Sequence, residues 1–143
     1  MRVVAGIALG VFIVAAWACG GAMQEPQEEA APTVVAVTPE LLDEGRRAYR
    51  KYCVQCHGFS GKGDGTSAAH LTPPPRDHTN AELMDPIGDV SIGEAIRYGG
   101  ARRGYPNMPA FPHVEHEELV ALVAYTRSLS RPDVSSVDVG GVD

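Results

Sequence analysis

The sequence predicts an all-α domain of three main helices joined by long loops, and three observations lead there. Apolar residues recur at helical spacing in three stretches, and each stretch carries its own start or stop signals. No stretch alternates apolar and polar residues as a half-buried strand would. The chain has 143 residues and no internal repeat, which leaves room for one ordinary domain once any targeting segment is set aside.

Residues 1–18 read as a signal or anchor segment. Arg2 is followed by the uncharged apolar run Val3 to Ala16 and then by Trp17-Ala18-Cys19. Three outcomes are open: cleavage at the small-x-small triplet Ala16-Trp17-Ala18, diacylation of Cys19 as a lipid anchor, or retention of Val3 to Met23 as a bilayer span. The bland reading of Cys19 is a small buried apolar residue. All three outcomes place the rest of the chain outside the cytoplasm, in the periplasm or at the outer face of a bacterial membrane. Residues 19–37 follow, rich in acid, Ala and Pro from Gln24 onward and without aromatics, and are expected to form a solvated tether.

The domain is expected over residues 38–131. Its first helix starts at Thr38-Pro39-Glu40, where Thr38 can cap, Pro39 suits the first turn and Glu40 complements the dipole. Leu41, Gly45, Ala48 and Tyr52 share one face, while Arg46, Arg47, Arg50 and Lys51 fall mostly on the other, a solvated face rather than a docking site. A second helix spans Val90 to Tyr98, with Ser91 to Glu94 in capping-box form and a stop at Gly99-Gly100. The third covers Glu115 to Ser130, with acids in its first turn, an apolar stripe of Leu119, Leu122, Val123, Thr126 and Leu129, and Pro132 beyond its end. Residues 132–143 show no helical periodicity and are expected to be a flexible tail. The chain carries 12 basic against 18 acidic residues, which argues against a nucleic-acid partner.

The stretch from Gly58 to Gly88 is too long for an ordinary loop, and such loops usually wrap something. What it wraps is indicated by Cys53-Val54-Gln55-Cys56-His57. Two thiols three positions apart on one helical turn can add to the two vinyl groups of a haem, and the adjacent His can reach its iron. One covalently attached haem c is therefore expected. A thioredoxin-like site needs a strand leading into the motif, and a zinc site needs a second ligand pair that His113 and His116 are too closely spaced to supply. Downstream, Met84, Met108, His70, His78, His113 and His116 are available for the other face of the iron. Met108 is the best placed, in a segment stiffened by Pro106, Pro109 and Pro112.

In these motifs the domain resembles the class I cytochromes c, in particular the small bacterial single-haem kind. The resemblance rests on Gly45 and Tyr49, Cys53 to Gly58, Gly61-Lys62-Gly63-Asp64-Gly65, Leu71 with Pro73-Pro74-Pro75-Arg76-Asp77, Ile96 to Gly100, Asn107 to Phe111 and Ala121 to Leu129. It implies a cytochrome c fold with the first and last helices crossing near Gly45 and Tyr125, and His57 and Met108 as axial ligands. It also implies that Pro73 to Arg76, Pro75 included, line the haem edge and that Arg76 pairs with a propionate, as a guanidinium suits a carboxylate. His78 departs from the pattern, standing where relatives often carry an aromatic or apolar residue. No lysine ring is present, so the partner surface is not inherited. Tyr98 and Tyr105 read as core residues rather than haem contacts.

The expected function is one-electron transfer in a respiratory chain, with no enzyme activity and no small-molecule substrate. Partners are a quinol-oxidising complex or a terminal oxidase, with the domain held at the membrane by its N-terminal anchor. The alternatives are a haem subunit fixed in such a complex, or a gas-binding sensor or catalytic haem protein if Met108 is not a ligand.

Overall fold

A computed structural model describes residues 32–142, so the expectations for the segment before Pro32, Cys19 as lipid anchor included, lie outside the described residues. In chain order the elements are β1 (Val34–Ala36), α1 (Pro39–Tyr52), α2 (Val54–His57), α3 (Ala81–Met84), α4 (Asp89–Tyr98), α5 (His116–Ser130) and β2 (Ser136–Asp138). Short 3-10 turns at Ala68–His70 and Ala101–Arg103 punctuate the loops. The fold is mostly helical, as expected, and among the described residues no helix is long and apolar enough to cross a membrane.

α1 begins as its sequence dictates. The Thr38 hydroxyl accepts the Leu41 N–H at 3.2 Å, Pro39 needs no donor in the first turn, and Glu40 faces the positive end of the dipole. Gly45, Ala48 and Tyr49 are buried, whereas Arg46, Arg47, Arg50 and Lys51 are exposed. The buried face packs on α5, whose Leu119 to Ala124 are all buried. The two backbones meet at Gly45. A Cβ there would drive into the Ala121 carbonyl oxygen and lie 2.7 Å from the Tyr125 Cβ, so only glycine permits the crossing.

Arg127 ties α5 to the segment that leads into α4. It is 3% exposed. Its Nε donates to Asp89 Oδ1 at 2.7 Å, Nη1 to the Met84 carbonyl at 2.9 Å, and Nη2 to the Ile87 carbonyl. A buried guanidinium is tolerated because its donors find acceptors, one of them charged. The other Asp89 oxygen accepts the Asp138 N–H at 3.1 Å. The start of α4 departs from the expected one. The helix starts at Asp89 behind an extended Gly88 with no side-chain cap, and Ser91 sits inside it rather than capping it.

The ends of the chain also depart from expectation. The segment read as a flexible tail forms β2, antiparallel to β1 with Val35 opposite Val137. Val137 and Val139 are 1% exposed and Val142 is fully buried. A Cβ on Gly93 of α4 would lie 3.1 Å from Val142, so the tail covers that helix where it lacks a side chain. Burying a valine is worth about 1.5–3 kcal/mol, enough to order a short segment paired to a second strand. Correspondingly, Val34 to Ala36 pair with β2, and Val35 and Val37 pack against the core rather than belonging to a solvated tether.

Gly45→Val is expected to lower unfolding free energy by about 3 kcal/mol or more, because both backbones must separate. Arg127→Met is expected to cost a similar amount, about 3 kcal/mol, by stranding Asp89, the buried Met84 carbonyl and the part-buried Ile87 carbonyl. Urea denaturation followed by far-ultraviolet circular dichroism measures both. A loss below about 1 kcal/mol in either variant would contradict its assigned role.

Candidate haem site

The helical turn that ends α1 continues into α2 with a break at Cys53. The Cys53 N–H donates to the Tyr49 carbonyl at 2.8 Å, and the His57 N–H to the Cys53 carbonyl at 2.9 Å. This places Cys53, Cys56 and His57 on the wall of a cavity of about 600 Å³. Pro75, Arg76 and Met108 line the same cavity, so the site residues expected from sequence within the described chain come together in one place. Its size falls within the roughly 300–1,000 Å³ of ordinary ligand and cofactor sites.

His57 is fixed at its edge. Its Nδ1 lies 3.0 Å from the Arg76 carbonyl oxygen, which can only accept, so Nδ1 carries the proton and Nε2 keeps its lone pair. Burial holds the imidazole below its ordinary pKa, the hydrogen bond to Arg76 opposes that shift, and the Arg76 charge adds to it. A neutral ring with a free Nε2 is the form that binds a metal. Burial, with Cys56 nearby, pushes the Cys53 thiol up to about 12.

Met108 arrives on the connection between α4 and α5. The Gly100 N–H donates to the Met108 carbonyl at 3.1 Å, and the Met108 N–H to the Tyr105 carbonyl at 3.1 Å. A Cβ on Gly100 would lie 2.7 Å from the Tyr105 carbonyl and 2.9 Å from the Met108 Cβ. The Asn107 amide donates to the Thr72 carbonyl at 3.1 Å, which joins this loop to the proline segment. Gly99-Gly100, which stops α4, thus also forms the seat of the methionine loop.

Of the other candidates for the second axial position, Met84 and His78 also line the cavity. Met84 is 1% exposed and its carbonyl holds Arg127. His78 packs against His57 itself, with ring centroids 4.1 Å apart. His70, His113 and His116 are not among the cavity residues, and His113 packs edge-on to Tyr52 at 5.6 Å. The sequence had no signal for the Arg76 carbonyl as a partner of His57, because a backbone acceptor carries no residue type.

The wall suits a flat apolar group with carboxylates at one edge. Ile92, Ile96, Phe111, Leu71 and Pro73 supply apolar surface, and Lys51, Arg76 and Arg103 supply cations, while no Asp or Glu lines the cavity among the described residues. Haem, with its apolar macrocycle and two propionates, fits that description. Arg76 is already oriented: its Nη2 donates to the Tyr105 hydroxyl at 2.9 Å and its guanidinium lies 5.1 Å from the centre of that ring. Tyr105 therefore belongs to the wall, contrary to its reading as an ordinary core residue, and Tyr98 is 60% exposed outside it.

Behind the motif, Tyr49 is 1% exposed and its hydroxyl is hydrogen-bonded to His78 Nδ1 at 3.1 Å. Burial first, then Cys53 and Tyr125, raise its pKa well above the ordinary tyrosine value. A raised folded-state pKa means that this stability is present below pH about 10 and is lost as pH rises beyond it, where the unfolded tyrosine ionises and the folded one cannot. Tyr49→Phe is expected to cost about 1 kcal/mol at neutral pH yet to flatten the loss above pH 10. Urea denaturation across pH 8–11 reads this out, and an unchanged alkaline slope would contradict it.

A model of the family described as cytochrome c oxidase, cbb3-type, subunit III matches residues 40–125, a span that runs from α1 into α5 and contains both the Cys-x-x-Cys-His motif and Met108. The chain is also 29% identical over 93 residues to cytochrome c oxidase subunit 2 of Alkalihalophilus pseudofirmus, a match covering 64% of this chain and 27% of that relative. The chain thus spans little more than a quarter of that relative's length. With the family match covering well over half of its residues, and with a cavity built for the cofactor that such domains bind, the chain belongs to the cytochrome c oxidase, cbb3-type, subunit III family and is a haem-binding c-type cytochrome.

Proposed function

We propose that this protein is a one-electron carrier holding a single haem through thioethers to Cys53 and Cys56, with His57 and Met108 as axial ligands. The observation that carries this reading is the convergence of those four side chains on one cavity whose wall is largely apolar and, among the described residues, carries no Asp or Glu. When bound, haem supplies a reversible one-electron couple whose potential is tuned by its axial ligands and its burial.

The protein's own groups do the rest. His57 presents Nε2 because its Nδ1–H is committed to Arg76. Met108 is presented by a loop seated on Gly100 and bracketed by prolines, which limits the freedom a weak thioether donor must lose on binding. Ile92, Ile96 and Phe111 exclude water and so favour the form of lower charge. Arg76, held by Tyr105, is oriented for a propionate, and Pro75 shapes the adjoining wall. With a protein donor for each face of the iron, no position is left for a substrate, so the role is outer-sphere transfer rather than catalysis.

The physiological setting belongs to the same proposal. The family and relative are oxidase components, which favours a terminal oxidase as electron acceptor or as the assembly in which this domain resides. A quinol-oxidising complex is the corresponding donor. The export-type segment ahead of the domain supports residence at the outer face of a bacterial membrane, anchored through Cys19 or through the segment itself.

Acidified organic solvent is expected to leave haem on the wild-type chain and to release it from the Cys53→Ala/Cys56→Ala double variant, with one iron per chain by elemental analysis. Met108→Ala is expected to open the sixth position: the ferrous variant takes up carbon monoxide, and its midpoint falls by on the order of 0.1 V within the ~0.8 V that axial ligands span. Ready carbon monoxide binding by the wild type would overturn the carrier reading. An unchanged potential in the variant would assign the ligand to Met84 or a histidine.

A further inference from the structure

We propose that His78 is a positioning residue for the axial ligand: its ring, held by Tyr49, lies flat against His57 and sets the rotation of that imidazole. The inference rests on the reading of His57 as an iron ligand. It begins from what the Arg76 contact leaves undetermined. One hydrogen bond at Nδ1 fixes the distance and direction of one ring edge, but the imidazole can still swing about that line. A face contact removes this freedom. The His78 ring supplies it, with centroids 4.1 Å apart and planes inclined by 20°.

His78 is itself held at two points. Its backbone N–H donates to the Gly61 carbonyl at 2.7 Å, and its Nδ1 is hydrogen-bonded to the Tyr49 hydroxyl at 3.1 Å. Tyr49 in turn packs edge-on to Tyr125 of α5, with ring centroids 5.3 Å apart. The histidine that presents Nε2 to the cavity is thereby connected through two stacked or hydrogen-bonded rings to the crossing of α1 and α5. Arg76 and His78 lie two residues apart, so one short segment provides both the edge contact and the face contact. An apolar side chain at position 78 would fill the same volume without a flat surface or a handle for Tyr49.

The test uses the mature haem-loaded protein and the hyperfine-shifted haem-methyl resonances of its ferric form, whose order and spread report the plane of the axial imidazole. His78→Leu keeps the position filled but removes both the flat face and the hydrogen bond to Tyr49, so it is expected to reorder or compress those resonances. His78→Phe keeps a flat ring but not the hydrogen bond to Tyr49, so it is expected to shift the pattern less than His78→Leu and no further than Tyr49→Phe does. Tyr49→Phe loosens the handle and is expected to shift the pattern part of the way. Throughout, the far-red band of methionine ligation should persist, which a role confined to packing or to the opposite face would not require. A wild-type pattern in His78→Leu, or equal displacement in His78→Leu and His78→Phe, would overturn the inference. A wild-type ferric spectrum lacking low-spin histidine ligation would instead overturn the ligand reading, and the inference with it.

Discussion

The backbones of α1 and α5 touch at Gly45, and the rest of the molecule is arranged around that contact. Because position 45 has no side chain, Ala121 and Tyr125 come close enough for Tyr49, one turn further along α1, to bury its ring against α5. The end of α1 is then fixed, and with it the turn carrying Cys53, Cys56 and His57. The same helix α5 holds the opposite side of the cavity through Arg127, whose hydrogen bonds to Asp89, Met84 and Ile87 set the start of α4. α4 ends in the glycine pair that seats the Met108 loop. One close packing contact thus determines where both proposed ligands stand.

The cavity is preorganised by polar contacts that keep their own groups satisfied. His57 is tied to a carbonyl, Arg76 to a tyrosine hydroxyl, Asn107 to the proline segment. Each is a polar group that burial would penalise if it were left unpaired. The consequence for an electron carrier is direct. A site whose donors are held in advance would need little rearrangement on electron transfer, and a largely apolar wall that also carries Lys51, Arg76 and Arg103 suits a cofactor with an apolar macrocycle and acidic side chains. The clasp of β1 and β2 adds a structural counterpart, covering α4 at Gly93 with the Val142 side chain.

Much of this was legible in the residues themselves. Helical spacing and caps located α1 and α5 to within a residue, and the Cys-x-x-Cys-His motif with the proline-flanked Met108 identified the residues that share the cavity. What could not be read depended on partners distant in sequence or on backbone atoms. The valines of the tail alternate with Ser and Asp over too few positions to signal a strand, and their pairing partner lies at the other end of the domain. Ser91 had the form of a cap, but α4 starts two residues earlier, behind Gly88, which places Ser91 inside the helix. The Arg76 carbonyl and the His78 ring reach His57 through the path of a loop, which no local pattern encodes.

His57 and Met108 both line the cavity and are the residues proposed to hold the iron of a bound haem. Proton magnetic resonance of the ferrous protein tests it most directly, since a methionine methyl bound at the iron lies over the macrocycle and is displaced far upfield by its ring current. A three-proton line is expected in that region, lost in Met108→Ala and retained in Met84→Leu. A spectrum without such a line, or one whose line is lost on substitution of Met84 instead, would contradict it.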